Sequence, residues 1–220
     1  MSNDLRLPRL LSLYQEYLDR PESATFSAKV SQHYASGTLE RLARHDRREV
    51  RRAAILALGF LGAYENNAVL GGALHDPDRT VRILAENSIR QVWTRTGDDD
   101  DRNRLGTIMR LNAARQFHKV LKLANALIER APTLAEAWNQ RAYAHHALGN
   151  FAETVRDCHE ALEINPYHFV AAVGQGRAYL ELGNAASALE SFRRALRLNP
   201  DLEGVRVQVA RLARAVEGRS

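Results

Sequence analysis

The stretch AEAWNQRAYAHHALGN (135–150) and its echo FVAAVGQGRAYLELGN (169–184) decide the fold. Each is followed by a second motif that also repeats: EALEINP (160–166) returns as RALRLNP (194–200). Ala161, Leu162, Asn165 and Pro166 thus recur 34 residues later as Ala195, Leu196, Asn199 and Pro200. A fixed period in this range marks a repeat architecture in which each unit buries its apolar face on the next. Within each copy, Gly149 or Gly183 ends a first helix, because glycine takes the left-handed cap conformation without steric cost. Pro166 or Pro200 stops the second helix, because proline lacks an N–H and fixes φ. Ala142, Ala161, Gly176, Ala188 and Ala195 permit close helix approach, and Trp138, Tyr179 and Phe192 fill between layers.

This pattern resembles the tetratricopeptide repeat, whose signature is W-x2-L-G-x2-Y, A-x3-F, then P. The second copy carries Gly176, Tyr179, Ala188, Phe192, Ala195 and Pro200 in register; the first keeps Trp138, Ala161 and Pro166 but departs at Arg141, His145, Thr154 and Cys158. Counting back one period finds a degenerate copy at 101–134 with Leu111, Phe117 and Pro132 in place. A second, shorter repeat precedes it. His45-Asp46 recurs as His75-Asp76 and Val50-Arg51 as Val81-Arg82, with spacings of 30 and 31 residues. These words resemble the HEAT repeat, in the short variant of phycobilisome-lyase-like proteins. Asp46 and Asp76 are expected to accept from N–H groups at the next helix start and from the arginine of the neighbouring repeat.

The expected architecture is an all-α helical-repeat solenoid. N-terminal capping helices occupy 1–35, HEAT-like repeats 36–97, and tetratricopeptide-like repeats 98–220. The last region comprises copies at 101–134, 135–168 and 169–202 and a capping helix at 203–217, where Val205, Val209, Leu212 and Val216 form one stripe and Gly218 the stop. In the first segment Leu7, Leu10, Leu11, Tyr14 and Leu18 form the expected buried stripe. The acidic run TGDDDD (96–101) is the joint; capping and solvation, not metal binding, is its expected role, since adjacent carboxylates on an extended chain point apart. The two repeat types are expected to pack as one continuous array across it, because Ile108, Val120 and Leu127 are too apolar to face water.

Composition narrows the function classes. The 220 residues are 45% hydrophobic, with a formal charge of +5 and pI near 9.6. Arginine supplies 28 of the 31 basic residues, a skew as typical of genome composition as of phosphate binding. No basic-then-apolar leader opens the chain, no run is long and apolar enough to span a bilayer, and Cys158 is a single cysteine. A cytoplasmic protein without cofactor, metal or membrane association is expected. Glycine-rich phosphate loops, G-x-S-x-G, H-E-x-x-H and paired zinc-type cysteines are missing, so no catalytic residues are assigned. The pairs His145-His146 and Cys158-His159 do not chelate, because consecutive helical residues point about 100° apart. Cys158 and His145 are expected to face the interior as packing residues.

What remains is binding. The tetratricopeptide resemblance implies a concave face lined by the first helix of each pair, which holds an extended or helical peptide. Its register puts Arg102, Leu105, Met109 and Asn112 there from one copy, then Glu136, Asn139, Tyr143 and His146, then Val170, Val173, Arg177 and Leu180. Of these Met109, Asn139, Tyr143, His146, Val173 and Arg177 are the expected partner contacts: Asn139 for a peptide backbone, Tyr143 for stacking, Arg177 for an acidic side chain. A terminal-carboxylate clamp of the chaperone-tail type is not expected, because Leu105, Met109, Gln140, Val170 and Gly174 hold its positions. The expected function is a non-catalytic adaptor for another protein or peptide. The alternative is nucleic acid or another polyanion on two basic rows, Arg44, Arg48 and Arg52, and Arg115, Lys119 and Lys122. Seven basic residues against one acidic at 102–134, and two against five at 135–168, give the charge asymmetry behind it. An accessory lyase-like role, which follows only from the HEAT variant, is the third reading.

Overall fold

In the computed structural model, residues 9–217 are described. They form thirteen α-helices and one 3-10 turn, with no strand among the described residues. Leu7 and Gly218 lie outside them, as does the side chain of Val216. The chain divides into two units, the first ending at Val92 and the second beginning at Trp93.

The first unit holds α1 (Arg9–Asp19), α2 (Ser23–Ser31), α3 (Ser36–Leu42), α4 (Arg48–Leu61), α5 (Asn67–Ala73) and most of α6 (Arg79–Thr94). Leu10, Leu13 and Tyr14 are the buried residues of α1. Leu18, expected in that stripe, is 52% exposed; a helix turns 100° per residue, and the face set by Leu10, Leu13 and Tyr14 continues to Tyr17. Tyr17, Phe26 and Phe60 form an aromatic trio with centroids 5.1–6.1 Å apart.

Charge ties these repeats together. Arg51 forks onto Asp76 of the next repeat with bonds of 2.7 and 2.8 Å, and its remaining nitrogen donates to the carbonyls of His45 and Asp46. Arg82, at the equivalent position, donates to the carbonyls of Asp76 and Pro77. Asp76 also accepts from the Asp78 N–H. The expected cross-repeat role thus holds for Asp76, while the carboxylate that caps the start of α6 is that of Asp78, which accepts the Val81 N–H at 3.0 Å.

The second unit holds α7 (Asp99–Ala113), α8 (Phe117–Arg130), α9 (Ala135–Ala147), α10 (Phe151–Ile164), α11 (Phe169–Glu181), α12 (Ala185–Leu198) and α13 (Glu203–Glu217). Asp98 and Asp101 make a reciprocal capping box at the start of α7, and Arg130 donates to both, so these two carboxylates find their partners within the protein. Three helix ends repeat at 34-residue intervals. Gln116, Asn150 and Asn184 each donate their N–H to a carbonyl five residues back, while Arg115, Gly149 and Gly183 stand at φ of +56°, +79° and +72°. This is the Schellman closure, and Arg115 makes it without glycine's freedom. Asn165 and Asn199, both buried, each accept the N–H two residues on and so shape the turn after the second helix. Val205 and Leu212 of α13 seal the last pair.

Candidate functional site

The first helices of the three pairs present one side of this unit. Steps of three and four residues keep returning a side chain to the same helix face, so α7 contributes Met109, Asn112 and Ala113 there. Tyr143 and His146 follow from α9, and Val170, Val173 and Arg177 from α11. Between them lies a cavity of about 370 Å³ whose floor is Ala142, Thr154, Cys158 and Gly174. All six residues expected to contact a partner, Met109, Asn139, Tyr143, His146, Val173 and Arg177, line it.

They line it in different ways. Tyr143 is 58% exposed and meets Phe117 edge-on at 6.3 Å. Arg177 is exposed and makes no ion pair among the described residues. Met109 and Val173 are half-buried apolar walls. His146 packs against Phe151, with Nε2 covered and without a hydrogen-bond partner. Asn139 is buried, 9% exposed, and donates one amide N–H to Glu136 Oε1 at 3.1 Å, which ties its side chain to the interior.

Two further expected lining residues belong to the interior. Leu105 is fully buried in the core of α7, α8 and α9. Glu136 is buried and accepts from Asn139, from Gln140 at 2.7 Å and from His168 Nε2 at 2.9 Å. Because His168 Nδ1 accepts the Ala171 N–H, its proton sits on Nε2 and is donated to the carboxylate. Burial pushes the Glu136 carboxyl up, but the hydrogen bonds from His168, Gln140 and Asn139 outweigh it and hold the group below its ordinary range. Trp93 stacks on the same imidazole at 4.3 Å.

Cys158 is 1% exposed, and burial, with a smaller push from Asp157, raises its thiol to about 12. At that value the thiolate population at neutral pH is negligible, consistent with a packing role. Sequence reasoning did not name it as a cavity residue, nor Thr154, because both come from α10, the second helix of the pair; Cys158 reaches the floor beside Gly174, where a Cβ would lie 3.1 Å from its sulfur.

The basic rows are less uniform than their spacing implies. Arg44 and Arg48 are exposed, and Arg48 pairs with Glu49. Arg52 instead forks onto Asp78, 26 residues on, at 2.8 and 2.6 Å, so it is not a free member of the row. The Arg52 guanidinium holds the Asp78 carboxyl down to about 2. Arg115 occupies the left-handed turn position, Lys119 donates to Gln116, and Lys122 is exposed. Among the described residues no cluster of histidine, cysteine or carboxylate side chains is arranged to hold a metal, and no helix is long and apolar enough to cross a membrane.

Comparison with known proteins agrees with the repeat architecture. Residues 135–168 and 170–202 match the tetratricopeptide repeat, and residues 35–116 match HEAT repeats. The HEAT match runs on through α7, to residue 116. A TPR repeat-containing protein of Rhizobium etli is 27% identical over 143 residues, covering 65% of this chain and 69% of that protein. The SGT1 homolog of Bos taurus is 38% identical over 72 residues, 33% of this chain and 21% of its own length. This chain therefore spans about a fifth of that relative. Among solved structures, the first TPR of Spaghetti (RPAP3), bound to the HSP90 peptide SRMEEVD, superposes with a TM-score of 0.51 at 18% identity. It covers 53% of this chain and 93% of that one, a likeness of fold. With the repeat matches, the 34-residue closures and the all-helical pairs in agreement, the chain carries tetratricopeptide repeats at 135–168 and 170–202 and HEAT repeats at 35–116.

Proposed function

We propose that this protein is a non-catalytic adaptor that holds an extended segment of a partner protein in the cavity between α7, α9 and α11. The observation that carries this reading is the convergence of Met109, Tyr143, Val173 and Arg177, from three successive helix pairs, on one cavity of about 370 Å³. That size lies in the range of pockets that enclose small ligands or a few side chains. An exposed tyrosine and arginine beside apolar walls are the types most often found as binding hot spots. The similar solved domain carries a peptide ligand, which supports the same class of occupant here.

The test is selection of a displayed random-peptide library on the full chain, followed by affinity measurement against variants. Tyr143→Ala and Val173→Glu should each weaken the selected peptides by about 10-fold or more. Arg44→Ala/Arg48→Ala should leave them unchanged. A DNA oligonucleotide assayed at two salt concentrations covers the polyanion reading. Strong salt-dependent DNA binding that Arg44→Ala/Arg48→Ala removes, with peptides indifferent to Tyr143 and Val173, would overturn the groove in favour of the basic face.

A further inference from the structure

Arg177 carries the only full charge among the residues that line the cavity, and no carboxylate lines it. The guanidinium stands exposed with no ion pair among the described residues. Two carboxylates on the neighbouring elements are already saturated. Glu136 accepts from three side chains, and Asp157 takes both prongs of the Arg141 fork at 2.8 and 2.7 Å. An uncompensated cation at the mouth of an apolar cleft attracts a negative ligand group and disfavours a positive one.

The spacing along α11 adds a constraint. Val173 and Arg177 lie four residues apart, about 6 Å along the helix axis. In an extended chain, residues two apart face the same side and lie about 6.7 Å from each other. An extended segment running along α11 therefore meets the Val173 wall and the Arg177 guanidinium with side chains at positions i and i+2. The intervening side chain points away from the groove.

From this we infer that the partner segment is acidic and apolar in alternation: an apolar residue against Val173 and Met109, with an aspartate or glutamate two positions away against Arg177. The i and i+2 register places the acid on a side chain within the partner chain, and a terminal carboxylate directly after that acid would bring a second negative charge to the single guanidinium in the lining. This rests on the groove reading above and names the partner class that the groove takes.

The library selection decides it when run in parallel on wild type and Arg177→Glu. Wild type should enrich an aspartate or glutamate two positions from an apolar residue, and Arg177→Glu should replace that acid with lysine or arginine. A terminally blocked wild-type winner in which the acid is changed to its amide should bind about 5-fold more weakly. Arg177→Gln should erase that difference while still binding the amide form. The same winner truncated to end in a free carboxylate after the acid should bind no tighter. Winners without an acidic position, an acid preference that survives Arg177→Glu, or tighter binding of the free carboxylate each overturn the inference. If the winners instead ignore Tyr143→Ala and Val173→Glu, they bind elsewhere, and it is the groove reading that fails.

Discussion

The repeats at 135–168 and 169–202 place different chemistry on the same two pairs of positions. Arg141 and Asp157 form a bidentate ion pair, 17% and 6% exposed; 34 residues on, Gln175 and Ser191 meet through one neutral hydrogen bond of 3.2 Å. Ala142 stands with Cys158 where the next repeat has Gly176 with Phe192. A Cβ on Gly176 would lie 2.6 Å from the Phe192 ring, so the missing methyl is what admits the larger side chain. The repeat frame fixes where two helices touch. It leaves open how the contact is filled, provided volume and charge are balanced within each pair.

The sharpest way to break that comparison is to unbalance the charged pair. Asp157→Ala leaves the largely buried Arg141 guanidinium without its carboxylate and should cost about 3 kcal/mol in urea denaturation, against about 1 kcal/mol for Ser191→Ala. Installing the neutral pair in the charged repeat, as Arg141→Gln with Asp157→Ser, should return stability to within about 1 kcal/mol of wild type. If the double variant is as unstable as Asp157→Ala, the two pairs are not interchangeable.

Volume comes next. Gly176→Ala should cost about 2 kcal/mol by overpacking against Phe192, and adding Phe192→Leu should recover part of it. Thermal unfolding of the single and double variants measures the coupling, and strictly additive losses would contradict a shared contact.

The first unit extends the charge side of the comparison. Arg52 lowers the Asp78 carboxyl to about 2, so its contribution is complete above the ordinary carboxylate pKa near 4 and is lost as pH falls toward 2. Acid titration of stability should therefore show about 1–2 kcal/mol lost across that window, and Arg52→Gln should flatten it.

The smallest effect has the opposite sign. Arg115 holds φ +56° where the other two closures use glycine. Arg115→Gly should stabilise the protein by about 0.5–1 kcal/mol, read as a small rise in Tm. A loss instead would mean that the arginine side chain contributes more than its backbone costs.

Much of this was legible in the sequence because it is periodic or local. Gly149, Gly183, Pro166 and Pro200 announce helix ends by their own backbone chemistry, and the Asp76 contact followed from a repeated two-residue word. The six candidate contacts in the cavity were legible because three- and four-residue steps fix a helix face, whereas Cys158 and Thr154 of its floor were not. What escaped depends on partners that pattern does not pair. Asn139 and Glu136 share the groove register, yet His168, 32 residues on, draws the Glu136 carboxylate inward and Asn139 follows. Arg52 continues a basic row by spacing, yet its charge is met by Asp78 in the next repeat. Arg115 gave no signal as a left-handed residue because arginine seldom takes that conformation.

The Gly176–Phe192 contact also bears on how such repeats can diverge. Four combinations of small and large residues connect the Ala–Cys pairing of one repeat to the Gly–Phe pairing of the next. One intermediate, glycine with cysteine, leaves only a small void. The other, alanine with phenylalanine, puts a methyl into an aromatic ring. The passable route therefore loses the methyl before it gains the ring, and the reverse route restores the small partner first. A contact settled by two positions thus carries an order of events as well as a geometry, and in this chain both ends of that route stand side by side.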